Sequence, residues 1–238
     1  MIALAVATEL LYVLSALVLG GRLLVLFLFR GAPTGLLGVA LVFGGAPVHA
    51  LSLLVALAEV PPSRGAWQLA YAFLYVASGV AACCVMRFTT EVFRPRSRWL
   101  PTVNALVAGY YAVTASTVPF LGPVPRESPL ALGALLVVGG IFVWASWEAL
   151  VHWAMYRRAE GLDALVVDRF RLWGVAAIAN VAVVALLFAA QGHPGLVGAA
   201  AGMGLISSLA LWLAFQPPAA YARRLRRSAG AASSPARP

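Results

Sequence analysis

The chain has 238 residues, 62% of them hydrophobic and 11% charged, with a formal net charge of +9. Globular domains carry roughly 45–50% and 25%, so a soluble domain of this length is excluded and lipid must solvate most of the apolar surface. All seventeen basic residues are arginine, which excludes a retinal Schiff base on a lysine amine.

A bilayer core of roughly 30 Å takes about 20 helical residues. Seven apolar runs are predicted to span it: 3–29, 36–58, 66–87, 100–121, 129–156, 172–191 and 195–216. The predicted fold is all-α, a seven-helix transmembrane bundle over 1–221. Residues 222–238 are mostly Ala, Arg, Ser and Pro without apolar period and are expected to be a disordered basic tail. The first span has no basic run ahead of it, and Arg22 is the first arginine, which suits an N-out signal anchor. Proline and glycine punctuate the gaps in Gly31-Ala-Pro33, Pro61-Pro62, Gly122-Pro-Val-Pro125, Gly192-His-Pro194 and Pro217-Pro218. A missing N–H and a ring clash end each helix there. Within span 2, Gly44-Gly45-Ala-Pro47 predicts a kink just before His49. Cys83 and Cys84 are adjacent in span 3, with neither disulfide framework nor CxxC spacing. Asp168 directly before Arg169 is expected to cap span 6. Gly198-Ala-Ala-Ala-Gly202 in span 7 permits close helix approach.

Fifteen of the seventeen arginines fall on one side of this arrangement, and only Arg64 and Arg126 on the other. Arginine excess marks the cytoplasmic side. The N-terminus is therefore expected outside and the C-terminus inside a bacterial inner membrane. Arginines at helix ends favour anionic lipid headgroups over nucleic acid.

Ionisable groups inside a span cost about 2.5–3.5 kcal/mol centrally and persist against a partner or a cavity. Glu9 lies near the outer end of span 1. Arg22 precedes Arg30 by eight residues, Glu148 precedes Arg157 by nine, and Asn180 follows Arg171 by nine. A rise of about 1.5 Å per residue puts all three roughly 12–14 Å from the arginine-rich edge. His152 is one turn from Glu148 on the same face. Arg22, Glu148, His152 and Asn180 are thus a candidate ligand-binding or proton-linked cluster, with His49, Trp144 and Asn104 as pocket lining. Glu148 would accept and His152 titrate. A structural Arg22–Glu148 pair, Glu148 held by His152 and Asn180, or Arg22 snorkelling to the interface are the alternatives.

Haem and metal are not expected. His49 and His152 are separated by roughly 12 Å along the membrane normal, too far for two axial ligands of one haem. Glu148 with His152 makes an incomplete metal site. No cofactor and no catalytic residue is assigned.

Three segments at the arginine-rich edge stand out together: Phe88-Thr-Thr-Glu-Val-Phe-Arg-Pro95 with Arg98-Trp99, Asp168-Arg-Phe-Arg-Leu-Trp-Gly174, and Trp212-Leu-Ala-Phe-Gln-Pro-Pro-Ala-Ala-Tyr221. With Ser146-Trp-Glu148 they resemble an uncharacterised family of bacterial seven-helix integral membrane proteins. The Phe-x-Pro-Pro ending is also similar to the membrane-embedded input regions of some bacterial histidine kinases. The resemblance implies a shared bundle and draws attention to Glu148; it implies no activity. The expected function is a heptahelical sensor or small-ligand-binding protein that signals through a protein partner at the cytoplasmic loops. A small transporter or proton-coupled permease, and a non-catalytic subunit of a membrane complex, are the alternatives.

Overall fold

The computed structural model describes residues 2–31, 33–57, 63–121, 128–159, 162–190 and 193–233. Pro61-Pro62, the segment from Gly122 through Arg126, Gly192 and Arg237 lie outside the described residues. Every described element is helical: α1 (Ile2–Arg30), α2 (Gly35–Val39), a π-helical turn (Ala40–Gly45), α3 (Ala46–Leu57), α4 (Arg64–Phe93), α5 (Leu100–Leu121), α6 (Pro129–Tyr156), α7 (Ala164–Ala190), α8 (Pro194–Phe215) and α9 (Ala219–Ser233).

Six of these segments are long and apolar enough to cross a membrane: Ile2–Phe29, Gly35–Leu54, Gln68–Phe93, Pro129–Tyr156, Ala164–Ala190 and Pro194–Phe215. The protein is thus an all-helical, multi-pass membrane protein. Helix α5 forms where a span is expected but is not one of the six. Pro101, Thr102, Asn104 and a run of tyrosine, threonine and serine dilute its apolar character.

Helix ends follow local chemistry. Gly31 adopts a φ of +61° just past α1, and its N–H reaches back to the Phe27 carbonyl at 2.8 Å; glycine takes that left-handed cap without a Cβ clash. Pro129 and Pro194 open α6 and α8, where no N–H is needed. The Ser128 hydroxyl accepts the Ala131 N–H at 3.2 Å. Asp163, not Asp168, caps α7: its Oδ1 accepts the Leu165 N–H at 3.0 Å. The helix begins a turn earlier than the apolar run, which leaves Asp168 inside it and buried.

The spans close into a ring. Helix α1 packs on the α2–α3 unit and on α8; α8 packs on α7, α7 on α6, α6 on α4, and α4 back on α2–α3. Helix α5 sits outside this ring, flanked chiefly by α4. It turns Leu106, Val113 and Phe120 outward. The ring interior is built from small residues, with Ala16, Ala145, Ala149, Ala200, Ala201 and Ala214 fully buried. Large side chains such as Leu28, Phe29, Leu69, Leu136 and Leu209 face outward. Lipid tails are as apolar as leucine, so close backbone approach, not apolar burial, holds such helices together.

Residues 219–233 are helical where a disordered tail is expected. Alanine and arginine are strong helix formers, and two contacts dock α9 on α7. The Tyr221 hydroxyl donates to Asp168 Oδ2, and Arg226 pairs with Asp163 at 3.3 Å.

Candidate functional site

Two buried glutamates organise the polar interior, one toward each end of the ring. The first is Glu148 on α6, 4% exposed. Its Oε1 accepts from Arg94 Nε at 3.0 Å and from Trp144 Nε1 at 3.2 Å. Its Oε2 has no hydrogen-bond partner, and His152 Nδ1 stands 3.9 Å from it. That same Nδ1 lies 2.8 Å from the Glu148 carbonyl oxygen, one turn back. The ring of His152 is boxed by Phe93, Tyr156 and Phe170, with centroids 4.8, 5.8 and 6.1 Å away.

Arg94 reaches this site because α4 stops there. The residue before a proline is pushed out of helical geometry, and Arg94 ahead of Pro95 takes φ −135° and ψ 48°. The chain then turns, with the Ser97 N–H on the Arg94 carbonyl at 3.0 Å. This turn folds over a cavity of about 940 Å³ lined by Arg94, Arg96, Arg98, Trp99, Trp144 and Glu148, among others. A planar guanidinium offers a donor fork matched to carboxylate or phosphate. The cavity therefore presents three such forks beside one carboxylate that is only half satisfied.

Of the expected cluster, the structure brings together Glu148, His152 and Trp144 and leaves out the rest. Arg22 pairs with Gln216 Oε1 at 2.8 Å and lies over the Trp212 ring at 5.2 Å. It does not reach Glu148, because it faces α8. Asn180 donates to the Ala176 carbonyl at 2.8 Å and to Ser207 Oγ at 2.7 Å, tying α7 to α8. Both corrections share a cause: equal depth says nothing about which way a side chain points around its helix. Asn104 borders a neighbouring hollow with Arg87, Glu91 and Ser97, and its Oδ1 is buried without a partner. Arg94 is the residue that sequence reasoning missed. Its signal was the Arg-Pro step, which predicts a turn rather than a headgroup anchor.

The second glutamate is Glu9 on α1, 1% exposed beside His49 on α3 at 2%. His49 Nδ1 lies 3.0 Å from Glu9 Oε2 and 3.3 Å from Oε1. His49 is thus a partner of Glu9 and not a lining residue of the Glu148 cavity. The Tyr12 ring rests on the imidazole, centroids 4.1 Å apart. Two glycines make room for Tyr12: a Cβ on Gly204 would come within 2.6 Å of its ring, and one on Gly45 within 2.7 Å of its hydroxyl oxygen. The Gly44-Gly45-Ala-Pro47 segment is realised as the π-helical turn leading into α3. Pro47 has no N–H to give the preceding turn, and a wider turn takes up the break.

The three edge segments that stand out in the sequence converge at one end of the ring. Phe88 meets Trp173 at 4.9 Å and Phe215 at 6.2 Å, and Phe93 meets Phe170 at 5.7 Å. Asp168 accepts from Tyr221 and pairs with Arg171 at 2.6 Å. Outside the spans, the Leu165 N–H, aided by Arg226, holds Asp163 below its ordinary value. Burial, and then the bond to Asp168, raise Tyr221 above its ordinary value of 10.0. Among the described residues no group of three or more His, Cys, Asp or Glu could hold a metal ion. Comparison with protein-family models, curated proteins and solved structures finds no match to this chain.

Proposed function

We propose that the protein is a heptahelical sensor of a bacterial inner membrane, N-terminus outside and C-terminus inside, that binds a small anionic ligand at Arg94. The observation that carries this reading is the half-satisfied Glu148: it holds Arg94 in the wall of an arginine-lined cavity while His152 waits at 3.9 Å. That is a two-state arrangement. An incoming anion takes the Arg94 fork, and Glu148 turns to His152 instead. A ligand shifts such an equilibrium by its differential affinity for the two states. The change has a route outward, since His152 touches Phe170 and Phe170 is two residues from Asp168, which holds α9. Helix α9 and its arginines would then meet a cytoplasmic protein partner or the anionic lipid surface. The arginine distribution supports this orientation, and α5 supplies the seventh crossing. Transport and a purely structural subunit role have no comparable observation behind them.

Inorganic phosphate is the probe. At constant ionic strength it should raise the melting temperature of the detergent-purified protein. Arg94→Gln, and a double Arg96→Gln/Arg98→Gln variant, should lose that shift. An equal shift in all three proteins, or none in the wild type, removes the reading. Nanodiscs with and without phosphatidylglycerol distinguish a free anion from a lipid headgroup as the source.

A further inference from the structure

The Glu9–His49 pair plays no part in the proposed ligand site, and its surroundings ask for a separate explanation. Both side chains are buried to within 2%, and the structure leaves His49 Nε2 without a hydrogen-bond partner. A buried polar nitrogen left bare is costly and rare. With Nδ1 facing the carboxylate, the pair in its lower protonation state is Glu9 carboxylate accepting from a neutral imidazole. Nε2 then carries a free lone pair, and the pair holds one uncompensated negative charge inside the ring.

The neighbourhood supplies little else to compensate it. Tyr12, on α1 itself, is the other titratable group in contact. From α8 come Ala201, Gly204 and Leu205. From α4, Ala77 and Ala81 pack on the π-helical turn. None of these carries charge. One turn beyond the pair, Leu53, Ala190 and Val197 form a separate buried apolar cluster with Val6 and Leu196. That cluster closes the end of the ring where α1 begins.

A cavity of about 60 Å³ is lined by Tyr12, Gly45, Ala40 and Leu41 of the π-helical turn, and by Asn180 of α7. A buried water needs roughly 10–15 Å³ and two to four polar partners. The volume suffices, and Tyr12 and Asn180 bring polar side-chain groups to its lining.

We propose that Glu9 and His49 form an intramembrane proton-binding site, with Tyr12 linking the pair to this cavity. In the step, a hydronium ion gives a proton to the Nε2 lone pair of His49. One O–H bond of the hydronium breaks as the N–H bond forms, its electron pair stays on the oxygen, and a neutral water is left. The product is an imidazolium–carboxylate pair of zero net charge. The apolar cluster of Leu53, Ala190 and Val197 blocks onward transfer, so the site stores a proton and does not conduct one.

Proton uptake on a pH jump from about 8 to about 5, read with an indicator dye on the detergent-purified full chain, tests this. Because the other ionisable groups are common to every protein, the difference between variants is the measure. His49→Gln and Glu9→Gln should each take up one proton fewer per chain than wild type, and Tyr12→Phe should match wild type in amount. Equal uptake by all four overturns the proposal. Should either variant fail to fold, ¹⁵N-histidine spectra of the wild type decide, assigned by elimination with His152→Gln and His193→Gln. A His49 Nε2 that does not change protonation across this range sinks the idea.

Discussion

At the scale of single residues, Glu148 is the informative case. That it faces the interior was legible, because a carboxylate turned to lipid is too costly. Its partner was not legible. Arg22, Asn180 and Glu148 share a depth, but Arg22 and Asn180 point at α8 while Glu148 points at the end of α4. Asp163 and Asp168 repeat the lesson, since the capping residue is set by where the helix starts and not by where the apolar run does. Arg94→Met leaves a buried carboxylate with only Trp144 and His152. A buried pair loses about 3–5 kcal/mol when broken. Arg94 is 56% exposed, and solvent screening reduces the expected loss to about 1–2 kcal/mol. Combined with Glu148→Gln, Arg94→Met should cost less than the sum of the two. Arg22→Met shares no partner with Glu148, so that combination should add to within about 0.5 kcal/mol. Thermal or denaturant unfolding of the five variants measures both; coupling between Arg22 and Glu148 would contradict the geometry.

At the scale of elements, the helices of the ring were predictable from length and apolarity, and their details were not. The π-helical turn answers to Pro47, whose kink the sequence signalled, but the close approach of Tyr12 from α1 to Gly45 was not signalled. The GxxxG pattern is half used: a Cβ on Gly198 would meet Ala5 at 2.8 Å, whereas one on Gly202 meets nothing within 4 Å. Helix α9 escaped notice because composition reports the absence of an apolar stripe and cannot report Tyr221 finding a buried aspartate. Its docking carries a pH signature. Tyr221 is raised above 10.0 by burial and by Asp168, so its contribution is present below pH 10 and is lost as pH climbs through the folded value. Asp163 is lowered below 3.8, so its contribution is present above that and is lost as pH falls through the folded value. Amide-exchange protection of residues 219–233 should therefore hold through the neutral range and drop in alkali. Tyr221→Phe should remove the alkaline drop and weaken docking at neutral pH. Alkaline protection equal in both proteins would show that the hydroxyl does not hold α9.

At the scale of the whole molecule, a multi-pass helical bundle was legible because 62% hydrophobic content in long runs admits no other solvent than lipid. The order of helices around the ring was not, since hydropathy carries no information about neighbours. Nor was the position of α5 on the outside, although its tyrosines and threonines set it apart from the six apolar spans. The proposed orientation has a direct check. A reporter fused after Pro238 should register cytoplasm, and one inserted beside Arg126 should register periplasm. Both on one side would mean an even number of crossings between them, so that one of α6, α7 and α8 fails to span; reporters beside Arg96 and Arg126 test α5 in the same way.

The contact between α1 and α8 joins two helices far apart along the chain. Until α8 arrives, Ala5 lacks Gly198, Tyr12 lacks Gly204, and Arg22 lacks Gln216 and Trp212. A nascent chain halted before Pro194 thus carries an unpaired arginine on a helix already inserted. An unpaired charge of that kind is costly inside a bilayer. Closing the ring on α8 gives it partners, so the last joint of the ring is also the one that satisfies the arginine of its first helix.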